Sequence, residues 1–159
     1  MMYIIDSSVF IEAKKPYYAF DLAPGFWEWL DLHHHEGALA SIEQVKSEII
    51  QGNDKLREWA KEHPDFFLPF DARAVEALRD VTSWAMEEYP ESAADEFLRA
   101  ADSALVAYGA AHGHTIVTQE VGRSRSKKRI KIPDACDSFN VDHMNNFTML
   151  NNVGIRLVL

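Results

Sequence analysis

The sequence predicts an α/β fold, a central and mainly parallel sheet flanked by helices, and three observations carry that expectation. Short apolar runs alternate with longer stretches of helical periodicity, the pattern of chains that wind strand and helix in turn. Two of those runs, residues 2–6 and 114–118, are short and apolar enough to be buried strands. Each delivers an acid at or just beyond its C-terminal end, Asp6 in the first case and Glu120 after Gln119 in the second. That end of an open α/β sheet is where ligands bind.

A chain of 159 residues matches the usual size of one domain, so residues 1–159 are expected to form a single unit. Hydrophobic residues at 47% and charged residues at 26% exclude the composition of a disordered chain. No apolar stretch approaches membrane-spanning length and no secretory pattern opens the sequence, so a cytoplasmic protein without a membrane partner is expected. The single cysteine, Cys136, excludes a disulfide framework and the usual thiolate zinc cages. It reads as a small core thiol.

The elements follow in order. Pro24 opens a helix containing Phe26, Trp27, Trp29 and Leu30, whose aromatics read as core and which stops near Gly37. Gly37 to Ala40 reads as a short strand or an extended link. Ser41 is placed to cap a helix carrying Ile42, Val45 and Ile49 at helical spacing, ended by Gly52. Glu48 borders that apolar stripe. A helix from Asp54 to His63 and a longer one from Asp71 toward Pro90 form a helical cover. Ser92 and Asp95 have capping-box spacing, and one helix then continues through Phe97, Leu98, Ala101, Leu105 and Tyr108 to Gly113. Leu98, Ala101, Asp102 and Leu105 would share a face, which turns Asp102 toward the sheet. After the strand at 114–118 come a basic loop, short helices at 134–139 and 145–152, and a last strand at 155–159.

Each acid has an ordinary explanation as well as a chemical one. Asp6 could cap a helix beginning at Ser7, Glu48 could be a solvated border residue, and Glu120 could be a loop acid. Asp102 could belong to a buried ion pair, because an unpartnered carboxylate on a core face costs several kcal/mol. Their conjunction points elsewhere. Two strand ends and two helix faces each present an acid, and carboxylates sharing a site repel one another unless a cation lies among them. An all-oxygen ligand set suits Mg²⁺ or Mn²⁺ better than zinc. His33, His34 and His35 point in successive directions from a helix end, so a shared metal site there is not expected.

Net charge is −9, yet Arg123, Arg125, Lys127, Lys128, Arg129 and Lys131 place six of the sixteen basic residues in one short window. Such a run is either a solvated loop or a contact for a phosphate backbone.

The segments Tyr3-Ile4-Ile5-Asp6-Ser7-Ser8-Val9-Phe10-Ile11, Ser47-Glu48-Ile49-Ile50, Ala101-Asp102-Ser103-Ala104-Leu105 and Ile116-Val117-Thr118-Gln119-Glu120 together resemble the PIN-like nuclease superfamily. Phe26-Trp27-Glu28-Trp29-Leu30 and Lys131-Ile132-Pro133-Asp134-Ala135-Cys136 are similar to a small bacterial branch of stand-alone members. The resemblance implies a PIN-like three-layer sandwich and a metal-dependent ribonuclease, the toxin of a toxin–antitoxin pair. It further implies Asp6, Glu48, Asp102 and Glu120 as catalytic ligands of Mg²⁺ or Mn²⁺, with Ser7 and Thr118 in support. The partners it implies are an RNA substrate and an antitoxin or regulator protein, while homodimerisation stays open. Aspartates are usual after the fourth strand of that family, so Asp134 stands beside Glu120 as a candidate fourth ligand. A non-catalytic interaction module and a phosphatase with Asp6 as nucleophile are the alternatives.

Overall fold

A computed structural model describes residues 1–13, 24–52, 54–122 and 125–154. Five parallel strands form one sheet in the order β3-β2-β1-β4-β5: β1 (Tyr3–Ile5), β2 (Leu39–Ile42), β3 (Phe67–Leu68), β4 (Thr115–Val117) and β5 (His143–Met144). Helices flank it in a three-layer α/β arrangement. The expected fold class is therefore the one observed. β1 and β4 pair Tyr3 with Thr115, Ile4 with Ile116 and Ile5 with Val117, and the Asp6 amide extends the ladder to the Val117 carbonyl at 2.9 Å. Chain order reverses between these two strands. A crevice opens at such a reversal, outside the strands' C-terminal ends, and Asp6 and Glu120 leave the sheet on either side of it.

The helices among the described residues are α1 (Ser7–Ala13), α2 (Pro24–His35), α3 (Glu43–Ile49), α4 (Lys55–Glu62), α5 (Ala72–Glu88), α6 (Glu91–Arg99), α7 (Ala101–His112), α8 (Ile132–Ser138) and α9 (Asn146–Val153). A single turn of 3₁₀ helix, Pro64–Phe66, precedes β3. α1 is anchored from below by Phe10, fully buried, whose ring lies 5.7 Å from Trp59 and 5.9 Å from Phe66. That aromatic packing holds the first turn of α1, with Ser7 and Ser8, at the crevice. α7 is anchored differently. A methyl group at Gly109 would come within 2.8 Å of the Val141 side chain and 3.1 Å of Ile116, so only glycine lets this helix approach β4 so closely. Gly113, at φ +68°, then ends α7 in the left-handed conformation expected of its C-terminus.

Several local expectations need correction. Ser41 does not cap α3: it lies within β2, and its hydroxyl donates to the Ile5 carbonyl at 2.6 Å, where the pairing of β1 with β2 has run out. Ser92 and Asp95 form no capping box, because α6 begins directly after Pro90, whose φ of −58° already suits a helix entry. The single long helix through Asp102 is two helices. Ala100 is extended, at φ −81° and ψ 167°, so Leu98 lies on α6 while Asp102 sits in the first turn of α7. β3 and β5, two residues each, were not foreseen. The expected strand at 155–159 lies outside the described residues.

Candidate functional site

The break at Ala100 brings the four acids together. Asp6, Glu48, Asp102 and Glu120 all line one cleft of about 260 Å³, with Ser7, Ser8, Ile11, Glu96, Phe97, Ala100, Arg129 and Ile130 completing its wall. Asp6 is the most enclosed, at 2% exposure. Ser7 donates to its Oδ1 at 3.3 Å, while Ser8 and Thr118 donate to its Oδ2 at 2.6 and 2.9 Å. Three hydroxyls thus hold the carboxylate in one orientation. Two of them also brace the segment that follows β4: the Gln119 amide donates to Ser8 Oγ at 3.0 Å and the Glu120 amide to Thr118 Oγ1 at 3.1 Å.

Glu48 and Glu120 have similar local roles on opposite sides. Glu48 Oε1 accepts the Ala101 amide, capping α7 from a separate helix. Glu120 Oε2 accepts the Ile132 amide at the start of α8 at 2.8 Å, and its Oε1 accepts from Arg129 Nη2 at 3.0 Å. Asp102 lacks such partners: among the described residues no hydrogen bond reaches its carboxyl. Burial pushes that carboxyl up to about 7, the charges of Asp6, Glu120 and Glu48 push the same way, and Arg129 opposes them. Burial also raises Glu48, more than its bond to the Ala101 amide lowers it.

A family model described as a domain of unknown function (DUF4411) matches residues 3–157. The chain belongs to that family. No curated protein and no solved structure matches it. In this DUF4411 chain the match spans every element that builds the cleft, from β1 to α8.

Among the described residues, no three His, Cys, Asp or Glu side chains stand in an arrangement that could hold a metal ion. The reason is visible in the hydrogen bonds. Glu48 is engaged by one helix start, and Glu120 is divided between another and Arg129, so both already spend oxygens on donors within the protein. The donor set itself fits a hard divalent cation, being all oxygen and carrying more negative charge than Asp102 tolerates without a proton.

Asp134 is absent from the cleft wall and packs instead near Gly122, where an added methyl group would lie 2.9 Å from its Oδ1. Of the basic residues, Arg129 lines the cleft, and Lys127 Nζ lies 4.4 Å over the Tyr89 ring. Arg125 and Lys128 are exposed, Lys131 is partly buried, and Arg123 lies outside the described residues. Sequence reasoning missed Ser8 and Glu96. Ser8 had a signal, its place two residues after a strand-end acid. Glu96 had none, because only the fold of α6 brings it to the rim. His33, His34 and His35 diverge as expected, binding Glu36, the Leu39 carbonyl and the Asp31 carbonyl. Cys136 is fully buried and its thiol is pushed up to about 12, chiefly by burial, so it is unreactive. No described helix is long and apolar enough to cross a membrane.

Proposed function

We propose that this protein is a Mg²⁺- or Mn²⁺-dependent ribonuclease of PIN-like type, acting as the toxin of a toxin–antitoxin pair. The observation that carries the reading is the gathering of Asp6, Glu48, Asp102 and Glu120 on one cleft, with Asp102 raised to about 7 by burial and by its three neighbours. A cation would be held by Asp6 and Asp102, joined by Glu48 and Glu120. When bound, it would lower the pKa of water and neutralise charge on the scissile phosphate. Asp6 is pre-oriented by the Ser7, Ser8 and Thr118 hydroxyls. Asp102, raised to about 7, is protonated in part of the molecules at neutral pH, so cation binding releases protons there and weakens as pH falls below about 7. The exposed Arg125 and Lys128, in the loop that leads to Arg129 of the cleft wall, supply charge for an RNA backbone.

The phosphatase alternative is opposed by the hydroxyls engaging both oxygens of Asp6. RNA cleavage by the purified protein with Mn²⁺ or Mg²⁺, set against an Asp6→Asn, Asp102→Asn double variant, tests the proposal. Cleavage by the native protein alone, leaving 5′-phosphate ends, is the expected result. Equal cleavage by both excludes it, and tight binding of a basic protein partner with no metal affinity would favour the interaction module.

A further inference from the structure

Arg129 stands where a cation would be needed. Its guanidinium is 3.0 Å from Glu120 Oε1, and its Nε is 3.8 Å from Glu96 Oε1, so it spans two acids of the cleft wall. Its charge also opposes the rise of Asp102. The side chain is about half exposed at 49%, whereas Glu120 is 13% exposed. The cheaper of the two to move is therefore the arginine. Glu120 also holds the Ile132 amide at 2.8 Å through its second oxygen, a bond in which Arg129 takes no part. A carboxylate so fixed at one oxygen can exchange its other partner without disturbing α8.

We infer that Arg129 is an internal counter-cation: it competes with the divalent ion for Glu120 and, once displaced, turns its fork to the substrate phosphate. This rests on the metal-dependent reading and adds a regulation to it. The two roles are mutually exclusive at one side chain, so phosphate binding by Arg129 frees Glu120 and tightens metal binding, and the reverse follows by linkage. Guanidinium suits both partners because carboxylate and phosphate offer its planar fork the same bidentate geometry.

Mn²⁺ titration by calorimetry at pH 8 tests the competition, using the native protein, Arg129→Gln, and Arg79→Gln on α5 as an equal change in net charge outside the cleft wall. Arg129→Gln should bind Mn²⁺ about fivefold tighter, the scale of a lost half-exposed ion pair. Arg79→Gln should match the native protein. At saturating Mn²⁺ the Arg129→Gln variant should nevertheless cleave RNA more slowly, so affinity and rate move in opposite directions. A merely structural clamp would lose both together. Unchanged or weaker Mn²⁺ binding by Arg129→Gln, or an equal gain in Arg79→Gln, overturns the inference while leaving the nuclease reading intact. Absence of Mn²⁺ binding in all three proteins overturns both.

Discussion

The two sides of the cleft hold their acids in opposite ways. On the strand side, Asp6 is almost completely enclosed yet served by three hydroxyls, so its burial is compensated. On the helix side, Asp102 receives no such bond from a described residue and faces the charges of three other carboxylates. Burial alone therefore does not set the cost of a charge; the donors around it do. The strand side is built to keep a charge in one place. On the helix side, burial and the neighbouring charges make Asp102 keep its proton to higher pH.

The largest effect that can probe this contrast is on catalysis, where both sides should matter equally. Asp6→Asn and Asp102→Asn should each lower RNA cleavage by about 100-fold or more, the scale of removing one essential polar group from a reacting site. Full activity in either variant removes that acid from the proposed chemistry.

Stability should separate the two sides. Unfolded, Asp102 titrates near 3.8, and folded, at about 7. Below both values it is protonated in either state. As pH rises between them the unfolded chain ionises first, so the stability that belongs to the protonated native carboxyl is lost through this window. Asp102→Asn lacks that loss. In urea denaturation of metal-free protein, its advantage over the native protein should grow from near zero at pH 4 to about 2 kcal/mol at pH 8, after allowance for solvent screening. Asp6→Asn should lose about 1 kcal/mol of hydrogen bonding, because an amide returns only part of what a carboxylate gives three hydroxyl donors, and this loss should shrink toward pH 8, where removing the Asp6 charge relieves Asp102. Saturating Mn²⁺ should reverse the native protein's loss at pH 8 by about 3 kcal/mol at a hundred times its dissociation constant. A flat pH profile for the gap between native and Asp102→Asn proteins would mean that the helix side is not frustrated.

How much of this could be read from sequence also divides along the same line. Asp6 was legible, since a buried apolar run ending in an acid is a local pattern, and its serine neighbours follow at once. The parallel sheet was legible for the same reason, through Tyr3–Ile5 and Thr115–Val117. Asp102 was found by a face argument that the structure revises. Arg99, Ala100 and Ala101 include neither glycine nor proline, and nothing local announces a break there. The break exists because Glu48, more than fifty residues earlier, satisfies the Ala101 amide that a continuous helix would have paired internally. Tertiary structure overrides propensity at that point. The two-residue strands Phe67–Leu68 and His143–Met144 are too short to carry a period, so only their neighbours define them.

That override predicts a smaller effect. Glu48→Ala removes the acceptor at the start of α7 and should cost about 1 kcal/mol, the usual scale of a lost helix cap. Glu48→Gln retains an acceptor oxygen and removes one of the charges that raise Asp102, so it should cost little and lower the Asp102 titration seen by NMR. Hydrogen exchange at the Ala101 amide distinguishes the two, with fast exchange expected only in the alanine variant. Equal exchange in both would show that the cap does not hold the break open.

The smallest effect concerns the rim, where the strand side gives way to the basic loop. Arg125 and Lys128 are exposed, whereas Lys127 is tied to the Tyr89 ring at 4.4 Å, an attraction worth about 0.5–1 kcal/mol at a surface site. The ring holds Lys127 in place without cancelling its charge, so all three remain able to meet a phosphate. Replacing Arg125, Lys127 and Lys128 by serine should leave Mn²⁺ binding unchanged, because none of them lines the cleft. RNA affinity should fall, and the slope of log affinity against log salt should flatten by about 0.7 for each single-strand phosphate that is no longer neutralised, about two in total. Tyr89→Leu keeps every charge and frees only Lys127, so it should weaken RNA binding slightly while keeping the slope. A triple variant with unaltered affinity and slope would show that this loop does not carry RNA, and would leave Arg129 as the cleft's own partner for the backbone.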